Sequence, residues 1–288
     1  MGISKNKWLG LISVAAVSTL TLSACGAAPD DAGSGGKANA SDFTACMVSD
    51  EGGFDDRSFN QLAHEGLVKA EEELGIQTKV AESSSPDDFT PNLTTMVSQG
   101  CDIIIPVGFM LADATQEVAN SNPDTHFAIV DVDYLEGDNL LQLNYDTAQA
   151  AFLAGYAAAG QSESGVVATY GGQKIPSVTI FMDGFALGVK HYNETKGKDV
   201  KVIGWDVDKQ AGDFVGNFTD QTKAKQISEG FLAKGADIIM PVGGPLYQGA
   251  AEAIRGHDNS ALLIGVDSDL VTVSYTHLRA HETRGNLV

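Results

Sequence analysis

The sequence predicts an α/β protein made of two doubly wound lobes of parallel sheet that face each other across a cleft. Three observations carry this expectation. Short continuous apolar runs alternate with stretches of helical periodicity, as buried parallel strands joined by crossover helices do. One such run is duplicated: Gly100-Cys-Asp-Ile-Ile-Ile-Pro-Val-Gly108 returns 135 positions later as Gly235-Ala-Asp-Ile-Ile-Met-Pro-Val-Gly243. The flanks return in the same order, Asp88-Phe-Thr90 as Asn217-Phe-Thr-Asp220 and Ile129-Val-Asp-Val-Asp133 as Gly265-Val-Asp-Ser-Asp269. A duplicated unit, one copy per lobe, follows.

The N-terminus reads as an address. Lys5 and Lys7 precede an apolar stretch from Trp8 to Leu22, which is short for a membrane span and has the form of a signal peptide. It ends in Leu22-Ser23-Ala24-Cys25, which resembles the lipobox of bacterial lipoproteins. That resemblance implies cleavage after residue 24 and a lipid-modified Cys25, anchoring the protein to the cell membrane on its extracytoplasmic face. Two or more acyl chains hold a protein stably at a membrane, where one alone does not. Residues 25–41, rich in Ala, Gly, Asp and Ser, suit a flexible tether. The folded part is expected from residue 42, with an N-terminal lobe over 42–145 and a C-terminal lobe over 146–272.

The first strand is expected over Phe43 to Ser49 and another over Asp102 to Val107. First and third strands of doubly wound sheets are commonly neighbours, so Cys46 and Cys101 either form a disulfide, which the outside compartment permits, or remain two buried thiols. The loop Asp50-Glu-Gly-Gly-Phe-Asp-Asp-Arg-Ser-Phe-Asn-Gln61 leads into a helical stripe from Phe59 to Leu74. Ser58 with Gln61 reads as a capping box that starts the helix. Phe59 by spacing alone is the first core residue of that stripe. Asp131/Asp133 and Asp267/Asp269 stand at strand ends in both copies, and ligands of open α/β sheets sit at such ends. The glycines that close Pro-Val-Gly allow sharp turns or close approach there.

Composition narrows the function. The 288 residues carry 18 Lys+Arg against 38 Asp+Glu, a net charge of −20, which would be repelled by a phosphate backbone. A nucleic-acid partner is therefore not expected. Three cysteines without paired spacing do not make a zinc site, and the Asp50–Asp56 loop lacks the alternating ligand spacing of a calcium loop. Neither metal nor cofactor is expected.

The first loop, in the form Asp-x-Gly-Gly-x-Asp-Asp-x-Ser-Phe-Asn-Gln, resembles the signature of the basic membrane protein family of lipoproteins, similar to purine nucleoside receptors. The resemblance runs on through Pro-Val-Gly-Phe109, Val-Asp131, Phe181-Met-Asp-Gly-Phe185, Gly216-Asn-Phe218-Thr-Asp220 and Gly265-Val-Asp267. It implies the type I periplasmic-binding-protein fold and a monomeric, non-enzymatic binder. Such a binder delivers nucleosides, purine nucleosides above all, to the permease of an ABC importer. Carried over by position, Phe59 and Phe218 stack on the base, and Asp50 and Asp131 bind its polar edges with Ser58 or Asn60 assisting. Asp267 accepts from the ribose hydroxyls, and Gly243 or Gly244 admits close backbone approach. The family's Ser-x-x-Lys after the final Asp has no counterpart in this sequence. Closure of the lobes is expected to hinge near Tyr145 and beyond Asp269.

A sugar-binding or signalling module of the same fold is the nearest alternative. A nucleoside hydrolase using Asp55 and Asp56 is a weaker one, since adjacent carboxylates seldom reach a substrate from opposite sides. Val273 to Val288 resembles a translated sequencing adapter. The sequence reading therefore treats 273–288 as non-native, expects the lobe over 146–272 to be incomplete, and expects the second sheet to show an uncovered apolar face.

Overall fold

The computed structural model describes residues 42–257 and 261–270. The signal, the tether with Cys25 and the segment 273–288 lie outside these. Two parallel sheets organise the chain. The first has the order β2-β1-β3-β4-β5, with β1 Thr44–Val48, β2 Gln77–Ala81, β3 Ile103–Pro106, β4 His126–Val130 and β5 Leu140–Leu143. The second has the order β11-β10-β6-β7, with β6 Val166–Gly171, β7 Lys201–Ile203, β10 Ile238–Val242 and β11 Leu262–Leu263. A small antiparallel pair, β8 Trp205–Asp206 and β9 Ala211–Gly212, stands beside it.

Helices cover these sheets unequally. On the first, α2 (Phe89–Ser98) and α3 (Ala112–Ser121) bury one face, with Leu93, Met96 and Leu111 packed on Cys46, Ile104 and Phe127. The opposite face, with Ala45, Met47 and Val107, packs among the described residues against Phe54 of the first loop and α1 (Phe59–Leu74), there chiefly through Leu67. The second sheet has two helices on each side. There α4 (Thr147–Gln161) and α5 (Pro176–Lys196) cover Val167, Ile238 and Met240, while α6 (Gln221–Ala233) and α7 (Leu246–Gly256) cover Ala168, Tyr170 and Ile239. Among the described residues the uncovered apolar face is thus on the first sheet and not the second, because α4 leaves β5 of the first sheet and packs on the second.

That packing is close. A Cβ on Gly155 would strike the Phe185 carbonyl, and one on Gly188 the Phe152 carbonyl, so the α4 and α5 backbones touch where these glycines stand. This explains why α4 is apolar and small all round yet does not need a wide stripe of large residues.

The strands are shorter than the sequence predicts by a residue at each end, as helix and strand limits usually are. Cys46 and Cys101 are joined by a disulfide, with Cα atoms 5.9 Å apart and a sequence separation of 55. It ties β1 to the entry of its neighbour β3 beneath α2. Replacing both cysteines by alanine is expected to lower unfolding stability by about 2–4 kcal/mol, from the freed loop of the unfolded chain. Chemical denaturation of both forms under oxidising conditions checks this, and equal midpoints would contradict it.

Candidate functional site

The carboxyl ends of β1, β3 and β4 face those of β6 and β10 across a cleft enclosing about 560 Å³ not filled by protein. Eight of the nine residues expected at the ligand line it: Asp50, Phe59, Asn60, Asp131, Phe218, Gly243, Gly244 and Asp267. Ser58 stands just behind, its hydroxyl donating to Asp267 Oδ2 at 3.3 Å from the opposite lobe.

The duplication is visible in the backbone. Asp131 and Asp267 take the left-handed conformation, with φ of 65° and 66°, at matching ends of the two copies. Such a conformation is uncommon away from glycine, and Asp is among the residues that tolerate it. Gly108 and Gly243, with φ of 109° and 137°, also correspond. Each seats a phenylalanine: an added Cβ would come within 3.3 Å of the Phe59 ring at Gly108 and 2.7 Å of the Phe218 ring at Gly243. The two rings therefore enter the cleft from opposite lobes, each laid on a strand-end glycine. Phe59 is half-buried: it lines the cleft and also packs against the core of the first lobe.

The start of α1 differs from the sequence reading. Ser58 makes no capping bond with its side chain. Asp56 caps instead, its carboxylate accepting from the backbone N–H of Ser58 at 2.9 Å, Asn60 at 3.0 Å and Gln61 at 3.0 Å. Gln61 turns outward to Glu65. A carboxylate takes several donors and complements the helix dipole, which a hydroxyl does less well. With those N–H groups occupied, the helix end is no anion site.

Asn60 lies between two acids, its Nδ2 donating to Asp50 Oδ1 at 2.7 Å and Asp56 Oδ2 at 3.2 Å. Both carboxylates need donors, so the amide can point only this way, and its Oδ1 is left buried with no hydrogen-bond partner. Gly52 N–H also donates to Asp50 Oδ1, at 3.2 Å.

No Lys or Arg lines the cleft among the described residues. Burial pushes the Asp50 carboxyl up to about 6, helped by the charges of Asp56 and Glu51 and opposed by Asn60 and Gly52. Burial, then the Asp50 charge, raises Asp131 to about 6. Crowding by protein atoms, then the Asp131 charge, raises Asp267 to about 7. Asp267 nevertheless keeps much of its residue surface open to water. Two of the four strand-end acids do not join the site: Asp133 is exposed and receives Asn144, and Asp269 lies outside the lining.

Sequence reasoning missed Asp56 as a lining residue, along with Met110 and the entry of α5 from Ile175 to Phe181. The last had a signal. Phe59 and Gly66 of α1 recur with identical spacing as Phe181 and Gly188 of α5, which puts Phe181 at the same strand-to-helix turn in the second lobe.

A cleft of this kind, at the strand ends of two α/β lobes, defines a solute-binding protein of the kind that serves ABC transporters. The fold is similar to a solute-binding protein of an ABC transporter system from Aeropyrum pernix K1, with a TM-score of 0.69 and 25% identity over 77% of this chain and 62% of that one. Residues 43–278 match the Bmp family model, described as ABC transporter substrate-binding protein PnrA-like, and the chain belongs to that family. Among its relatives are the CD4+ T-cell-stimulating antigen of Listeria innocua, 32% identical over 90% of this chain and 72% of that protein, and the ABC transporter nucleoside-binding protein BmpA of Lactococcus lactis, 30% identical over 92% and 74%.

The raised carboxyls fix a pH dependence. A native carboxyl whose pKa is raised holds its proton where the unfolded chain has lost it, so its contribution falls as pH rises from about 4 to about 7. Melting temperature is expected to drop between pH 5 and pH 8 by more in the parent chain than in Asp131→Asn. Parallel profiles would refute a carboxyl held protonated at this site.

Proposed function

We propose that this protein is a lipid-anchored, extracytoplasmic receptor that binds nucleosides, purine nucleosides preferred, and passes them unchanged to the permease of an ABC importer. The observation that carries the reading is a cleft rich in carboxyl groups, with no Lys or Arg among its described lining residues, between two aromatic rings. Phe59 and Phe218 offer flat apolar faces from opposite lobes, while the carboxyl groups of Asp50, Asp131 and Asp267 offer hydrogen-bond acceptors. A flat base bearing N–H groups, joined to a sugar bearing hydroxyls, supplies what such a cleft lacks. Four carboxylates and an occupied helix end disfavour phosphate, selecting nucleosides over nucleotides. Asp267 holds the ribose hydroxyls in this reading, and Gly243 and Gly244 let the backbone close on the ligand. The lipid at Cys25 keeps the receptor beside its permease.

A thermal-shift screen over nucleosides, free bases, nucleotides and sugars tests the proposal, since a ligand of the native state raises its melting temperature. Nucleosides are expected to give the largest shift and to be recovered intact. A shift with sugars alone, or release of free base, would overturn the reading in favour of a sugar receptor or a hydrolase. Phe59→Ala is expected to weaken nucleoside binding by about 1–3 kcal/mol, the scale of one lost base–aromatic stack. Asp267→Asn is expected to harm nucleoside binding more than free-base binding, and calorimetry showing equal losses would remove the ribose role from Asp267.

A further inference from the structure

The contacts that cross the mouth of the cleft include a matched pair. Ser58, at the start of α1 on the first lobe, donates its hydroxyl to Asp267 Oδ2 on the second at 3.3 Å. Ser268, the residue after Asp267, donates its hydroxyl back to the carbonyl oxygen of Arg57, the residue before Ser58, at 3.4 Å. Each dipeptide therefore gives one hydroxyl and accepts one: Arg57-Ser58 from the first lobe, Asp267-Ser268 from the second.

The backbone is shaped for this exchange. Arg57 and Asp267 take the left-handed conformation, with φ of 57° and 66°, although neither is glycine. Such a residue turns the chain sharply and persists where its surroundings hold it. At Asp267 the Ser268 N–H closes the turn, donating to the Val266 carbonyl at 2.8 Å. Ser58 is fully buried, and its hydroxyl makes no cap at α1, which leaves that hydroxyl for the second lobe. A buried hydroxyl needs a partner, and this one is brought by the opposite lobe.

The duplication sets Ser268 apart. It stands where the first copy has Val132, which is packed in the core of the first lobe. The same position thus points an apolar side chain inward in one copy and carries a hydroxyl across the cleft in the other. Ser268 lies outside the cleft lining, yet what it holds is central to it. The paired bonds pin the backbone directly before Phe59 and Asn60. They also engage one oxygen of the Asp267 carboxyl and leave the other for a solute. Both bonds are long for a hydroxyl donor, with room to shorten as the lobes close.

We propose that Ser268 is a positioning residue for solute binding: with Ser58 it forms a reciprocal clasp that closes behind the solute and sets how long it stays. The proposal rests on the nucleoside reading for its probe. A bond made only when the lobes are together slows departure and leaves entry unchanged, because a solute enters the open form.

The test follows tritiated guanosine entering and leaving the full chain by rapid filtration, in the parent, Ser268→Ala and Ser268→Thr. Ser268→Ala is expected to release guanosine about three- to tenfold faster, the scale of one lost hydrogen bond, with its association rate unchanged. Ser268→Thr keeps the hydroxyl and is expected to release guanosine at nearly the parental rate. A serine that merely supported the fold would alter association as well. Equal release from the parent and Ser268→Ala overturns the proposal. So does equally fast release from Ser268→Ala and Ser268→Thr, or an association rate that falls as far as release rises. Should guanosine not bind the parent, the nucleoside reading fails and the clasp is read from solute-free chains by small-angle X-ray scattering. Ser268→Ala is then expected to show a larger radius of gyration than the parent, and identical radii overturn the clasp.

Discussion

The amide of Asn60, held between the carboxylates of Asp50 and Asp56, organises the ligand-facing side of the first lobe. Asp56 caps the start of α1, Asp50 stands just past the end of β1, and Asn60 ties the two together. Phe59 is adjacent to Asn60 and is thereby aimed over Gly108 into the cleft. Burying two acids costs free energy unless donors surround them, and here backbone N–H groups and one amide provide those donors. Even so Asp50 binds its proton more tightly than in water, as do Asp131 and Asp267, the last of which receives the Ser58 hydroxyl.

Much of this was legible in the residues. The Pro-Val-Gly repeat located β3 and β10 and their glycines, because buried parallel strands are short apolar runs that tolerate little variation in pattern. Phe59, Phe218, Asp131 and Asp267 followed from resemblance and strand-end position together. The helix start was misread because Ser58-x-x-Gln61 satisfies a local rule, while the observed cap depends on how the preceding loop folds back, which spacing does not encode. Asp133 and Asp269 failed for a related reason. A strand end places one side chain toward the cleft, and the residue two positions on has already turned away.

The bare face was expected on the wrong sheet. Counting elements within each half assigns each helix to its own lobe, yet α4 crosses from β5 to the second sheet. Only the close glycine contacts of α4 with α5 reveal that exchange, and they appear when backbones are placed side by side. Gly155 and Gly188 are indistinguishable in sequence from glycines of no consequence.

Asn60 of the first lobe corresponds to Met182 of the second, so the duplication has diverged at the point where polarity is greatest. Three of the four cleft carboxylates and the orphaned acceptor stand on the first lobe. The second contributes mainly apolar surface and Asp267. A solute can thus satisfy most of its polar groups before the lobes meet. Under the proposed function, first contact with a polar solute would therefore fall to the first lobe, and apolar enclosure to the second.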